Sequence, residues 1–236
     1  MSTPFKPTRR TVLMASAAAV PVAAIPLYGA RAEGLEATSL SQYKPVFFSA
    51  AEWQFILAAC DRLIPAEGKG PGAIETNVPV FIDQQLQTGL GADIYLQGPY
   101  KNDAVATLGF QLPYAPQDVY RIGIKLAQQH SQAQHGKPFE QLDAKARDAL
   151  LTALQKNGVD FAALGEPVLK ASQFFGQLLD DTKNGYLADP MYGGNKDMLA
   201  WVAIGFPGAR GQYVEWVDQH NVPYPLGPVS VSGKRA

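Results

Sequence analysis

The sequence has one cysteine, Cys60, and three histidines, His130, His135 and His220, in 236 residues. A lone thiol excludes an intramolecular disulfide and any thiolate metal cluster. The missing C-x-x-C-H excludes covalently attached haem of the c type. His130 and His135 stand five apart, a spacing that turns them away from each other on a helix, and neither H-x-x-x-H nor H-E-x-x-H occurs. No G-x-G-x-x-G follows a strand pattern. Gly68-Lys69-Gly70-Pro71-Gly72 lacks the G-K-[S/T] ending of a phosphate loop and reads as a turn. An excess of charge is lacking as well: a formal net charge of -1 gives no footprint for nucleic acid. Cys60 falls in an apolar helical register and reads as a core thiol.

The N-terminus carries more information. No acidic residue precedes position 33, whereas Lys6, Arg9, Arg10 and Arg31 do. Arg9-Arg10 stand before a mildly apolar Ala/Val-rich run to about Tyr28, the pattern of a twin-arginine export signal. Pro21 and Pro26 interrupt that run and weaken it as a membrane anchor. Ala30-Arg31-Ala32 sets small residues at alternate positions, which predicts cleavage between Ala32 and Glu33. The expected organisation is therefore an export signal over 1–32, a linker or arm over 33–46, and one domain over 47–236. Beyond residue 32 the chain keeps 16 basic against 21 acidic groups, a net of -5 that argues against a polybasic membrane-binding face.

The mature region alternates helical patterns with Gly/Pro loops. Ser49 and Glu52 form a capping box, with Phe48 placed to staple against Trp53, and Trp53, Ile56, Leu57, Cys60 and Ile64 mark one face until Pro65. Pro79 opens a short helix to about Thr88. Residues 89–114 hold no period and read as a long ordered loop. Pro116 opens the next helix, with Val119, Tyr120, Ile122, Leu126 and Ala127 inward and Gly136 at its end. Another runs from Asp143 to Lys156. Pro167 is expected to begin a longer one, closed by Asn184-Gly185. Shorter helices are predicted over 195–205 and from Gln212 to His220, followed by an extended tail with Pro223, Pro225 and Pro228. The sum is an all-α chain: a single irregular domain of about seven helices with long Gly/Pro-rich loops.

The densest stretch is Gly185–Arg210, GYLADPMYGGNKDMLAWVAIGFPGAR. Tyr186, Tyr192, Met198, Trp201 and Phe206 crowd between glycines and prolines that fix the backbone, around the Gly193-Gly194-Asn195 turn. An Ω-loop packed on a helical core and a surface shaped to dock on another protein both fit this composition; on the second reading Tyr186, Tyr192, Asn195, Met198, Trp201 and Phe206 are the partner-binding residues. Asp180-Asp181 close a predicted helix, where a turn contact or a salt bridge explains them. Asp189 before Pro190 can organise a turn through its side chain. A free-standing hydrolase using Asp189 or His220 is the rival reading, although no nucleophile stands at an identifying distance from either.

This stretch resembles a known family, together with FFSAAEWQFILAACDRLIP (47–65), GPGAIETNVPVFIDQQL (70–86), the QGP of 97–99 and a tail ending HNVPYPLGPVS. The resemblance is to the small subunit of bacterial membrane-bound, flavin-dependent gluconate 2-dehydrogenase, and to the similar subunits of 2-ketogluconate, sorbitol and fructose dehydrogenases. It covers about residues 45 to 230. The resemblance implies a three-part complex at the periplasmic face of the membrane. A flavoprotein holding FAD oxidises a sugar acid or polyol, and a membrane-anchored multihaem cytochrome c passes electrons to quinone. The small subunit has no cofactor and no catalytic residue of its own; it associates with the flavoprotein and supplies the signal read by the twin-arginine translocase.

Overall fold

Ser49 starts the first helix through a reciprocal pair of hydrogen bonds. Its hydroxyl accepts from the Glu52 amide, and a Glu52 carboxylate oxygen accepts the Ser49 amide at 2.8 Å. A computed structural model describes residues 40–68, 70–88, 98–101, 108–109, 111–222 and 224–236, all within one compact unit, 35–236. These residues form α1 (Ala50–Leu63), α2 (Val78–Gln87), α3 (Pro116–His135), α4 (Ala144–Gln155), α5 (Ala171–Leu187) and α6 (Leu199–Ile204). Single 3-10 turns lie at Phe139–Gln141, Pro190–Tyr192, Lys196–Met198 and Val214–Trp216. Among the described residues there is no strand, only three isolated bridges, so the all-α expectation holds.

Helix boundaries follow local chemistry. Pro79 lies in the first turn of α2, behind Asn77 in the left-handed region at φ 58°. α3 opens at Pro116 and ends at Gly136 with φ 65°. Asp143 caps α4 by accepting the Ala146 amide at 2.8 Å.

The core is aromatic at its centre. Phe55 of α1 lies 4.7 Å from Phe139 and 6.2 Å from Phe174, and Tyr120 of α3 meets the edge of Phe174 at 6.1 Å. α3 can approach α5 because position 123 is glycine; a Cβ there would collide with the Phe174 ring. α5 packs against α1, α2, α3 and α4. Cys60 is fully buried beside Thr182, and burial pushes its thiol up to about 12, which leaves it unreactive.

Four expectations need correction. Pro167 does not open α5. Glu166 folds back to accept the amides of Val168 and Leu169, both at 2.9 Å, and helical geometry begins only after Lys170. Asn184-Gly185 does not close α5, which continues to Leu187 with Gly185 buried against Phe81 of α2. From Gln212 to His220 there is a single 3-10 turn rather than a helix. The ring that meets Trp53 is Tyr43, at 5.5 Å, while Phe48 packs on Tyr120 at 5.7 Å. Asp180 and Asp181 accordingly sit inside α5. Asp180 pairs with Lys183 on the surface, and buried Asp181 accepts from the Tyr120 hydroxyl at 2.9 Å and from Gln177 Nε2 at 2.8 Å.

Asp83 joins the segment before α1 to α2. Its side chain is fully buried, and its two oxygens accept the Tyr43 hydroxyl (2.7 Å) and the amides of Val46 (2.7 Å), Phe47 (3.0 Å) and Phe48 (2.9 Å). Three successive amides closing on one carboxylate form an anion-holding nest. Arg121 of α3 lies over the Phe47 ring at 4.3 Å, donates to the Phe47 carbonyl and pairs with Glu52. Asp83→Ala strands four donors and should cost about 3 kcal/mol or more of folding stability in urea denaturation. Asp181 gives a second test. Burial holds its carboxyl above the ordinary aspartate range, so the native state retains a proton that the unfolded chain has already lost. Wild-type stability should therefore fall as pH rises from about 4 through that raised pKa. Asp181→Asn, whose amide oxygen can accept both hydrogen bonds, should lack that slope in denaturation curves taken across the same range.

Candidate functional site

The loop after α5 rests directly on helix backbone. A Cβ at Gly194 would collide with the Gly185 carbonyl, and one at Gly193, which has φ 94°, would collide with the Gln84 side chain. Only glycine at 194 lets the loop reach α5. Asn195 then pins it from inside: fully buried, its Nδ2 donates to the Ala188 carbonyl at 2.9 Å and its Oδ1 accepts the Ala200 amide at 3.0 Å. The Lys196 amide donates to Thr76 O at 3.1 Å, tying the loop to the segment before α2. Asn195, Asp197 and Met198 all have positive φ, at 43°, 54° and 56°, a tight reversal that carries the chain into α6.

The six proposed partner-binding residues divide. Asn195, Met198 and Trp201 are buried within this chain, and the Trp201 indole N–H donates to Leu187 O at 2.9 Å. Their size and polarity are used by the reversal itself, which needs an interior anchor, so they hold the loop's shape. Tyr186 is half-buried, its hydroxyl donating to Pro71 O at 2.9 Å. Tyr192 and Phe206 are open to solvent, at 50% and 44% exposure. Arg9, Arg10, Ala32 and Glu33, expected to carry export and cleavage, lie outside the described residues, as does most of the predicted 89–114 loop.

A larger apolar surface lies just beyond. Among the described residues, thirteen of the seventeen exposed large hydrophobic side chains fall between Leu187 and Val231. Val202, Ile204, Val214, Val217 and Leu226 belong to it and are not among the residues that the sequence reading assigns to partner binding. One signal was available: α6 reads LAWVAI, apolar all round, so a six-residue helix with one buried face must present the rest. A groove of about 410 Å³ runs between α6 and the tail, lined by Trp201, Val202, Phe206, Tyr224, Leu226 and Pro228 among others. Trp201 meets Phe206 edge-on at 5.1 Å, and Tyr224 links the groove to Trp216 at 5.1 Å and Tyr213 at 6.1 Å. The far wall is fastened by main-chain bonds, Ala209 N to Val229 O at 2.7 Å and Val229 N to Pro207 O at 3.2 Å. Arg210 lies 4.5 Å over the Tyr224 ring and donates to Gly227 O at 2.8 Å.

The polar groups nearby are occupied by architecture. Asp189 accepts the Met191 amide through Oδ1 (3.1 Å) and the Val231 amide through Oδ2 (2.7 Å), so it organises its own turn and clasps the tail. His220 is an exposed tail residue. Among the described residues, no three His, Cys, Asp or Glu side chains stand close enough together to hold a metal ion, and no helix is long and apolar enough to cross a membrane.

This arrangement, with glycines seating a loop on helix backbone and an apolar groove behind it, is where the family match ends. A family model described as gluconate 2-dehydrogenase subunit 3 matches residues 50–208. The chain belongs to this family. Neither the curated proteins nor the solved structures hold a match to it. The subunit 3 region thus opens at the first residue of α1 and closes at Gly208, which bridges to Val229 and where a Cβ would collide with the Val229 backbone. Gly194→Ala should force the loop off α5. Hydrogen exchange over 186–204 should rise at least tenfold, while α1 and α3 keep their protection, as read by mass spectrometry of the exchanged peptides.

Proposed function

We propose that this chain is the non-catalytic accessory subunit of a membrane-bound, FAD-dependent dehydrogenase of sugar acids or polyols. The observation that carries the reading is the crowding of exposed apolar side chains into Leu187–Val231 of a chain that belongs to the subunit 3 family. Exposed apolar side chains gathered in one part of a chain mark interaction surfaces, and a member of an assembly has a reason to present them. In this reading the chain binds the flavoprotein, which holds FAD and oxidises the substrate, while a multihaem cytochrome c subunit anchors the complex and delivers electrons to quinone. The complex works at the periplasmic face of the inner membrane.

Export is the second half of the role. Arg9-Arg10 supply a twin-arginine signal for both this chain and the flavoprotein, which cross together after folding. The hydrolase alternative gains no support from the geometry, because both Asp189 oxygens already accept main-chain amides.

Replacing Arg9-Arg10 with Lys-Lys in cells that make the whole complex should strand this chain and the flavoprotein in the cytoplasm, read by fractionation with an activity stain. Periplasmic flavoprotein in normal amount would refute shared export. The purified chain should show no visible absorbance band and no sugar oxidation. Turnover by the chain alone would overturn the accessory role.

A further inference from the structure

The groove behind α6 differs from the 186–198 loop, which carries Asp189, Lys196 and Asp197, in how little charge accompanies its exposed apolar side chains. Val202 and Leu226, on opposite walls, are 54% and 52% exposed, and Phe206 at its mouth is 44% exposed. Through Tyr224 the groove continues into the 3-10 turn Val214–Trp216, where Val214 and Val217 are open to solvent. From Leu199 to Val231 the only formally charged residues are Arg210, Glu215 and Asp218, and Arg210 is already held by Gly227 and Tyr224. An apolar strip with aromatic walls and so little charge has the composition of an interface centre rather than of a rim.

We infer that this groove and the turn beyond it receive an apolar, uncharged segment of the flavoprotein subunit. The inference rests on the accessory role proposed above and adds the location. Exposure supports a protein partner. Nine large apolar side chains from Val202 to Val231 are 40–70% exposed, and a protein partner that covers them gains from each. Charge argues against an anionic bilayer, which is held by clusters of Lys and Arg that the strip lacks. The family description, a third subunit, favours a different chain over a second copy of this one. Tail order points the same way. Of residues 205–236 only Gly208, Pro228 and Ser230 among those described are buried, so few interior contacts offset the entropy of holding the tail in place.

The test uses the full chain and the purified flavoprotein subunit, with affinity read by biolayer interferometry. Val202→Glu and Leu226→Glu should each weaken binding at least tenfold with melting temperature unchanged, and Lys145→Glu, exposed on α4, should bind as wild type. If wild type does not bind the flavoprotein, the accessory reading fails. If it binds and both groove variants bind within twofold of it, that reading stands and the groove assignment is overturned. A photo-crosslinking residue at position 226 keeps the assignment testable should either glutamate variant misfold. Joining to the flavoprotein supports it. Joining to a second copy, to the cytochrome or to lipid alone overturns it, as does a dimer of the isolated chain that Leu226→Glu dissolves.

Discussion

A polar side chain with no solvent contact has to find hydrogen-bond partners inside the protein, and Asp83 is held by four donors. That requirement brings the segment Tyr43–Phe48 onto α2 before the Ser49 cap starts α1, and so sets the two helices relative to each other. α2 then serves as floor for the far end of the chain, since Phe81 lies under Gly185 and Gln84 under Gly193. The loop so seated fixes α6 through Asn195 and Trp201, and α6 is one wall of the groove. A surface more than a hundred residues away in sequence thus inherits its position from one buried side chain.

Much of this was legible in the sequence, and the failures share a cause. Ser49 with Glu52, Pro79, Pro116 with Gly136, and Asp143 each act within one helical turn, so their local chemistry decided the boundary, and the structure has them in those places. Pro167 misled because its effect depended on Glu166, whose side chain captures the next two free amides and delays the helix. Gly185 misled because its meaning was tertiary: it ends nothing and lets Phe81 and Gly194 come close. Of the six residues expected to bind a partner, Asn195, Met198 and Trp201 are buried, Tyr186 is half-buried, and Tyr192 and Phe206 are exposed. Large aromatic and polar side chains in a tight reversal are needed inside it, as Met198, Asn195 and Trp201 are, whereas the small β-branched residues of α6 and the tail attract little notice in a sequence and remain outside.

The interior polar groups likewise serve shape. Asp189 and Asn195 each hold backbone from another stretch of chain, the Thr76 hydroxyl holds Gly72 O in its own turn, and Cys60 is sealed against Thr182. In a region this rich in positive φ, such side-chain clasps offset the conformational strain of Asn195, Asp197 and Met198, which no long helix is there to absorb. Rigidity of the loop is what gives the adjoining apolar surface a constant form.

On its own side the tail is joined mostly through main-chain groups, with Asp189 accepting the Val231 amide and Lys234 paired with Asp197. Ala209 to Val229, Val229 to Pro207 and Ala236 to Pro228 are amide-to-carbonyl bonds, and the one side-chain identity the bridge itself demands is glycine at 208. Hydrogen bonds of this kind are indifferent to which residues flank them. Side chains presented by the tail, at Val222, Leu226 or Val231, can therefore be exchanged without disturbing the joint at Gly208 or the scaffold of α1–α5.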